Sequence, residues 1–533
     1  MYFDESARKL VSSSPGRCHF RGNRATDWGA SNATSNGCVT SGRRHPGAAG
    51  HRLKLWLFRC WQGSIARAIA AALSLAVTQP AAAAEPSRRL ESRPDVTARV
   101  RVVLEAEGKL LSHDSSQRIQ SVPMTARGEM IYDERRGPAQ PGLLAMRHYQ
   151  LAEATIEVRG RREECRLREA RSLIACRERA GAVLVDFDSP QGPLTRDELE
   201  LIDLPGNSAV IHALLPREMV APGDSWRHDD LTLARLLNLD RVTESDVSST
   251  WRSLEDGIAR LELSGTVRGS VKGAATVIQL RGKYQFELES GCIIWLAMSF
   301  RENRSIGDLA PGLEVAARLR MVVDPRVEAP LLGDAELAGD ASSAHLLEYS
   351  SPTQGYQLLL DRRWHLIRDD GQTAVLRFYD AETRLAQCNL SRLPDLPAGK
   401  HLELTRFQDD IRRALGEKLG AFQQVTQTTS PDGLRSLRVV ASGAVSDVAI
   451  QWVYYHLSDD LGRRASFVCA LEEKHLEKLA GVDAAIAASF RFMADGPSVS
   501  NRSPEGPAAR PDRSDNRSAV RPRDHGAAAS AGR

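Results

Sequence analysis

Between residues 242 and 324 the chain carries five long runs in which apolar and polar residues alternate: 242–254, 257–270, 273–289, 292–304 and 312–324. "GIARLELSGTV" and "GKYQFELESG" show the pattern, and glycine-bearing turns separate the runs. A period of two sends successive side chains to opposite faces of an extended strand. Sequential strands joined by tight turns form a meander, so this segment predicts antiparallel sheet.

The preceding segment continues in the same style. In "VTARVRVVLEA", Val96, Ala98, Val100, Val102 and Leu104 share a face, and strand runs follow at 122–133, 147–159, 162–168 and 172–187. A helical interlude interrupts them. Thr195 and Glu198 have capping-box spacing before "LELIDL", and "NSAVIHALLP" and "DLTLARLLNL" are short helical candidates. Residues 95–325 therefore predict one domain, a large curved antiparallel sheet with a few helices laid against it. Residues 326–348 are polar and small, which predicts a linker. Residues 349–493 predict a second, α+β domain. Its strand runs are 356–360, 374–380, 385–393, 422–429, 434–443, 447–457 and 464–471. Helices are expected at 403–419, where Leu404, Phe407, Ile411, Leu415 and Leu419 keep helical spacing, and at 473–489. The expected fold class of the chain as a whole is α+β. From 494 to 533 almost no apolar residues occur, which predicts a disordered tail.

Residues 53–84 have the composition of an export signal. Arg59 and Arg67 are followed by the apolar run Ala68 to Val77, a break at Pro80, and the small residues Ala82 to Ala84. Charged flank, short apolar run and small-residue exit are the parts of a secretory signal, with cleavage expected between Ala84 and Glu85. The run is too short for a membrane-spanning helix, which needs about 20 apolar residues. Glu85 after the cleavage site, in place of a cysteine, disfavours lipid anchoring. Residues 1–52 are either a disordered leader or a start placed too early. Residues 1–84 hold 11 of the 71 Lys and Arg and 3 of the 68 Asp and Glu, which leaves 60 against 65, a net of −5. The mature chain thus lacks the basic balance of a nucleic-acid binder. A periplasmic or extracellular location is expected.

Five cysteines follow residue 84. None forms C-x-x-C, and no His lies at metal-finger spacing, so no structural zinc site is expected. In an oxidising compartment two pairings are candidates. Cys165 and Cys176 would face each other if "EECRLREARSLIACRER" is a hairpin, and Cys388 and Cys469 both sit in strand-like runs.

Two short patterns resemble known families. "LLPREMVAPGDSW", with Pro216, Gly223, Asp224 and Trp226, resembles a motif of exported bacterial domains of unknown function, in which a meander follows. "GYQLLLDRRWHLI", with Tyr356 and Trp364, and the closing Ser489-Phe490-Arg491-Phe492 resemble the ends of PsbP-like superfamily domains. Arg363 stands where that superfamily has a proline before the tryptophan. The resemblance implies an α-β-α sandwich with an antiparallel sheet, and roles in binding or assembly instead of catalysis.

Motifs that carry chemistry are absent. There is no G-x-S-x-G, H-E-x-x-H, G-x-G-x-x-G or Walker loop. Asp224-Ser225 reads as part of a turn, His228-Asp229-Asp230 as a turn or helix start, and His456 as a half-buried sheet histidine. Trp295, Trp364 and Trp452 read as core, while Trp226 and Trp251 are the candidates for a rim. No catalytic residue, metal or cofactor is expected. The sequence predicts an exported, non-catalytic protein that binds or assembles with a protein or an amphiphile at the cell envelope. The alternatives are a lipid carrier, with a cavity between sheet and helices, and a hydrolase with an unrecognised site.

Overall fold

Alternation governs the chain once folded. The computed structural model describes residues 86–494, except 115, 138–141, 179–182, 326–327, 329–331, 333–344 and 381–382. The expected leader, the cleavage site at Ala84 and Glu85, and the tail from 495 lie outside the described residues.

The first strands are β1 (Thr97–His113), β2 (Ile119–Arg136), β3 (Leu143–Val158), β4 (Arg161–Arg166), β5 (Leu173–Glu178) and β6 (Val185–Asp188). A short β7 (Leu194–Thr195) enters α1 (Arg196–Ile202), and a 3-10 turn follows at Ile211–Leu214. Then come β8 (Ser225–Arg227), α2 (Asp230–Leu237), β9 (Arg241–Ser245) and β10 (Ser248–Glu255). The meander continues as β11 (Ile258–Val271), β12 (Ala274–Glu287), β13 (Cys292–Arg304) and β14 (Gly312–Asp324). All but β7 join one sheet of 13 strands, ordered β6-β5-β3-β2-β1-β14-β13-β12-β11-β10-β8, with β4 on β3 and β9 on β11. The first and last long strands, β1 and β14, are neighbours, with Arg99 opposite Asp324.

One face of this sheet is apolar. Val100, Val102, Leu261, Leu280, Leu296, Leu319 and Met321 are fully buried there. They belong to one continuous core with Leu201 and Ile202 of α1, Ile211 and Leu214 of the 3-10 turn, and Leu233, Leu236 and Leu237 of α2.

The second block begins with β15 (Leu346–Ser351), β16 (Tyr356–Asp361), β17 (Trp364–Asp369), β18 (Thr373–Asp380) and β19 (Thr383–Leu393). After α3 (Leu404–Leu415) come β20 (Leu419–Thr429), β21 (Arg435–Val445), β22 (Val448–Ser458) and β23 (Arg464–Glu472). The chain closes with α4 (Leu476–Leu479), α5 (Val482–Ser489) and β24 (Arg491–Phe492). Seven strands form a sheet ordered β17-β18-β19-β23-β22-β21-β20. Phe407, Ile411 and Leu415 of α3 pack on Leu437, Val439, Trp452 and Tyr454. Ile486 of α5 belongs to a separate core with Leu376, Cys388, Val453 and Cys469. The single closing helix expected at 473–489 is broken, because Gly481 takes φ +82 and resets the chain before α5.

The α+β expectation needs correction. Strands hold 58% of the described residues and helices, 3-10 turns included, 14%, with five short α-helices among them, so the protein is mainly β. The helical runs are brief, and the longest α-helix, α3, has 12 residues. The linker expectation also meets an unforeseen element. β15 starts at Leu346 and pairs in parallel with β7 of the first block, within a third sheet ordered β24-β16-β15-β7. From Ser87 on, the described residues belong to one compact unit.

Candidate functional site

The residues singled out in the sequence are mostly structural. Gly223 sits at φ +102, where a side chain costs energy, and its N–H donates to the Trp251 carbonyl. The Asp224 carboxylate accepts from the Ala221 N–H at 2.8 Å, and Trp226 Nε1 donates to the Leu214 carbonyl at 2.9 Å. Pro216 to Trp226 is therefore a corner that fastens the 3-10 turn to the sheet edge. The Ser225 hydroxyl lies 2.8 Å from that of Thr250. Asp229 caps α2 through the Thr232 N–H. His228 lies 2.8 Å from Ser249, and burial lowers its pKa to about 4. His456 is fully buried, with both ring nitrogens unpartnered among the described residues.

Two tryptophan readings are reversed. Trp251 is fully buried, and its Nε1 donates to the Ser253 carbonyl. Trp295 is half-buried and stands opposite Val322, itself exposed, on the polar side of the sheet.

The Cys165–Cys176 pairing fails for a topological reason. A 3-10 turn at Glu169–Arg171 carries the chain from β4 to β5 without pairing them. Both strands instead pair with β3, Cys165 opposite Ala154 and Cys176 opposite Ala145. Nine positions along a strand is about 30 Å, far beyond disulfide reach. Cys388 and Cys469, by contrast, are opposite each other on β19 and β23. All five described cysteines are thiols.

Among the described residues no cluster of His, Cys, Asp and Glu could hold a metal ion, and no helix is long and apolar enough to cross a membrane. A buried polar network does exist. Arg147 donates to Glu134 at 2.9 Å and to Ser208 at 2.9 Å, and its guanidinium covers the Tyr132 ring at 4.7 Å. Every donor there points at another protein group, so the network ties the sheet to Ser208 and presents nothing to a ligand.

The arrangement best suited to recognition is the polar face of the large sheet. A cavity of about 1060 Å³ opens there, lined by residues from β2 across to β10. In a flat sheet those two strands would stand about 29 Å apart, so the sheet curls around the cavity. A second hollow of about 960 Å³ shares Glu105, Arg127, Arg281 and Arg318 with it. Seven Lys and Arg against three Glu line the first cavity, a net of +4.

Register builds the site. Across the strands, one row reads Arg127, Glu105, Arg318, Ser299, Arg281, Ser264. The next reads Glu129, Val103, Arg320, Ala297, Lys283, Glu262. The small Ala297 and Ser299 on β13 form a floor between Arg318 and Arg320 on one side and Arg281 and Lys283 on the other. Along a strand, same-face residues repeat every 6.8 Å or so, and strands two apart lie about 10 Å apart. Ion pairs occupy the rims: Arg101 with Glu129 at 2.6 Å, Arg127 with Glu105 at 2.8 Å, and Arg252 with Glu262 at 2.8 Å. Lys283 reaches Glu262 at 3.4 Å. Arg281, Arg301, Arg318 and Arg320 are exposed and make no ion pair with another described residue. Sequence reasoning missed them, although "QLRGKY", "SFREN" and "ARLRM" each place a cation among the wet positions of a strand.

No family model matches the chain, and no curated protein does. Among solved structures, a PsbP from Synechocystis sp. PCC 6803 is 19% identical over 30% of this chain and 99% of its own, with a TM-score of 0.23. Lipovitellin is 9% identical over 45% of this chain and 26% of its own, at 0.26. The translocator domain of the autotransporter NalP from Neisseria meningitidis is 9% identical over 72% of this chain and 89% of its own, at 0.12. A PsbP is thus among the likenesses, and all three scores are too low to assign a fold or a family.

Proposed function

We propose that this protein is an exported, non-catalytic binding protein of the cell envelope, and that the trough on its large sheet holds an extended acidic segment of a partner. The observation that carries the reading is the unpaired floor of the trough, where Arg281, Arg318 and Arg320 surround Ala297 and Ser299. Arginine forks suit carboxylates, and an extended peptide repeats its same-face side chains at the strand's own spacing. An acidic residue at every second position therefore matches the cations in sign and in step. Export rests on the signal-like composition of residues 53–84.

A fluorescein-labelled peptide of alternating Glu and Ser, followed by anisotropy, tests this. Binding should weaken steeply with added salt, because exposed charges are screened. R318E/R320E should lose on the order of a hundredfold in affinity, since attraction becomes repulsion. Both side chains are exposed, so the sheet should survive the change. Binding insensitive to salt and to both substitutions would overturn the reading.

A further inference from the structure

The seven-stranded sheet has one seam. β17 to β19 follow each other in sequence, as do β20 to β23, and only the β19–β23 pairing joins the two groups. Cys388 and Cys469 are opposite each other in that pairing. Their row continues through Leu376 on one side and Val453 on the other, all within the same core. Both cysteines are fully buried. Facing residues of an antiparallel pair have Cα atoms about 4.5 or 5.5 Å apart, and both spacings lie within the range a disulfide spans.

We propose that Cys388 and Cys469 form a disulfide that staples this seam. The two residues are about eighty positions apart, and closing a loop that long removes much freedom from the unfolded chain. The bond forms while the chain is still folding. In the folded sheet, the hydrogen bond with Cys388 and burial raise the Cys469 thiol far above its usual range, and a thiol that stays protonated does not exchange. The oxidant is an exported thiol oxidoreductase carrying a reactive disulfide. The Cys388 thiolate attacks one oxidant sulfur, and the other leaves as a thiolate. The Cys469 thiolate then attacks Cys388 Sγ in the mixed disulfide, forming the new S–S bond and expelling the second oxidant sulfur. The two cysteines give up two protons and two electrons, and the oxidant departs as a dithiol. That oxidant rests on the export reading above, whereas the pairing rests on the strand register alone.

The test is to refold the reduced full-length chain in a glutathione redox buffer, digest it without reduction and map the peptides by mass spectrometry. The peptides carrying Cys388 and Cys469 should appear linked and separate on reduction. The oxidised chain should melt on the order of 10 °C above the reduced one, and C388A/C469A should lose that difference. Free or glutathionylated Cys388 and Cys469, or either one linked to any other of the eight cysteines, would overturn the proposal. Because the buffer supplies the oxidant, such a result counts against the geometry and leaves the export reading standing.

Discussion

His456 shows how one side chain writes a pH dependence into the fold. Burial, and then the nearby Arg464, lower its pKa from 6.5 to about 3. A histidine with a depressed folded pKa binds its proton more tightly when unfolded, so acid favours unfolding. Its contribution is complete above about pH 6.5 and is lost as the pH falls towards 3. Between pH 7 and pH 5 that loss is about 2 kcal/mol. His456→Leu, which also removes two unpartnered nitrogens, should shrink the drop in urea-unfolding free energy over this interval by about that amount. An unchanged drop would mean that the ring is protonated inside the fold. The place of His456 on the strand face of Trp452 and Tyr454 could be anticipated from the alternating run that carries all three. The arginines of the trough could not. A cation at a wet strand position looks like ordinary solvated surface until register sets Arg318 beside Ser299 and Arg281 beyond it. Sequence periodicity tells which face a side chain takes, and says nothing about which strand lies next door.

Among the elements, the long meander strands were the most legible, because apolar and polar positions largely alternate over thirteen or fourteen residues in each. Short elements were less so. β15 and β17 are six residues each and carry little periodicity of their own. α1 is also short but was visible through its cap. The Thr195 side chain accepts from the Glu198 N–H, and Glu198 returns a bond to the Thr195 N–H. Glu198 does more than cap. Its buried carboxylate also takes the Arg168 guanidinium at 2.6 Å and 2.7 Å. Thr195→Ala should therefore cost about 1 kcal/mol, while Glu198→Ala should cost about 2 kcal/mol, since it also leaves Arg168 with Glu348 as its one carboxylate partner among the described residues. Chemical denaturation of the two variants decides it, and equal losses would reduce Glu198 to a cap.

In the whole molecule, the two blocks are joined by hydrogen bonds as well as by chain. β7 pairs with β15, and Arg168 bridges Glu198 in the first block and Glu348 in the second. Arg196 donates to the carbonyls of Arg362 and Trp364, and Arg362 in turn donates to the Phe187 carbonyl. Charged donors on buried carbonyls make a stiff joint. Calorimetry of the intact chain should show one cooperative transition, and R168A/R196A should divide it into two. A single transition in the variant would place the coupling elsewhere.

The neighbouring positions of β1 and β14 have a consequence for the first block. The strand that enters the sheet and the strand that leaves it run side by side, so the block's two ends emerge at one place. A polypeptide with that property can be spliced into a surface loop of another host, or cut at the exposed Asp256-Gly257 turn and rejoined through its old termini, without any strand of the 13-stranded sheet changing neighbours. The curled sheet and its trough are in this sense portable.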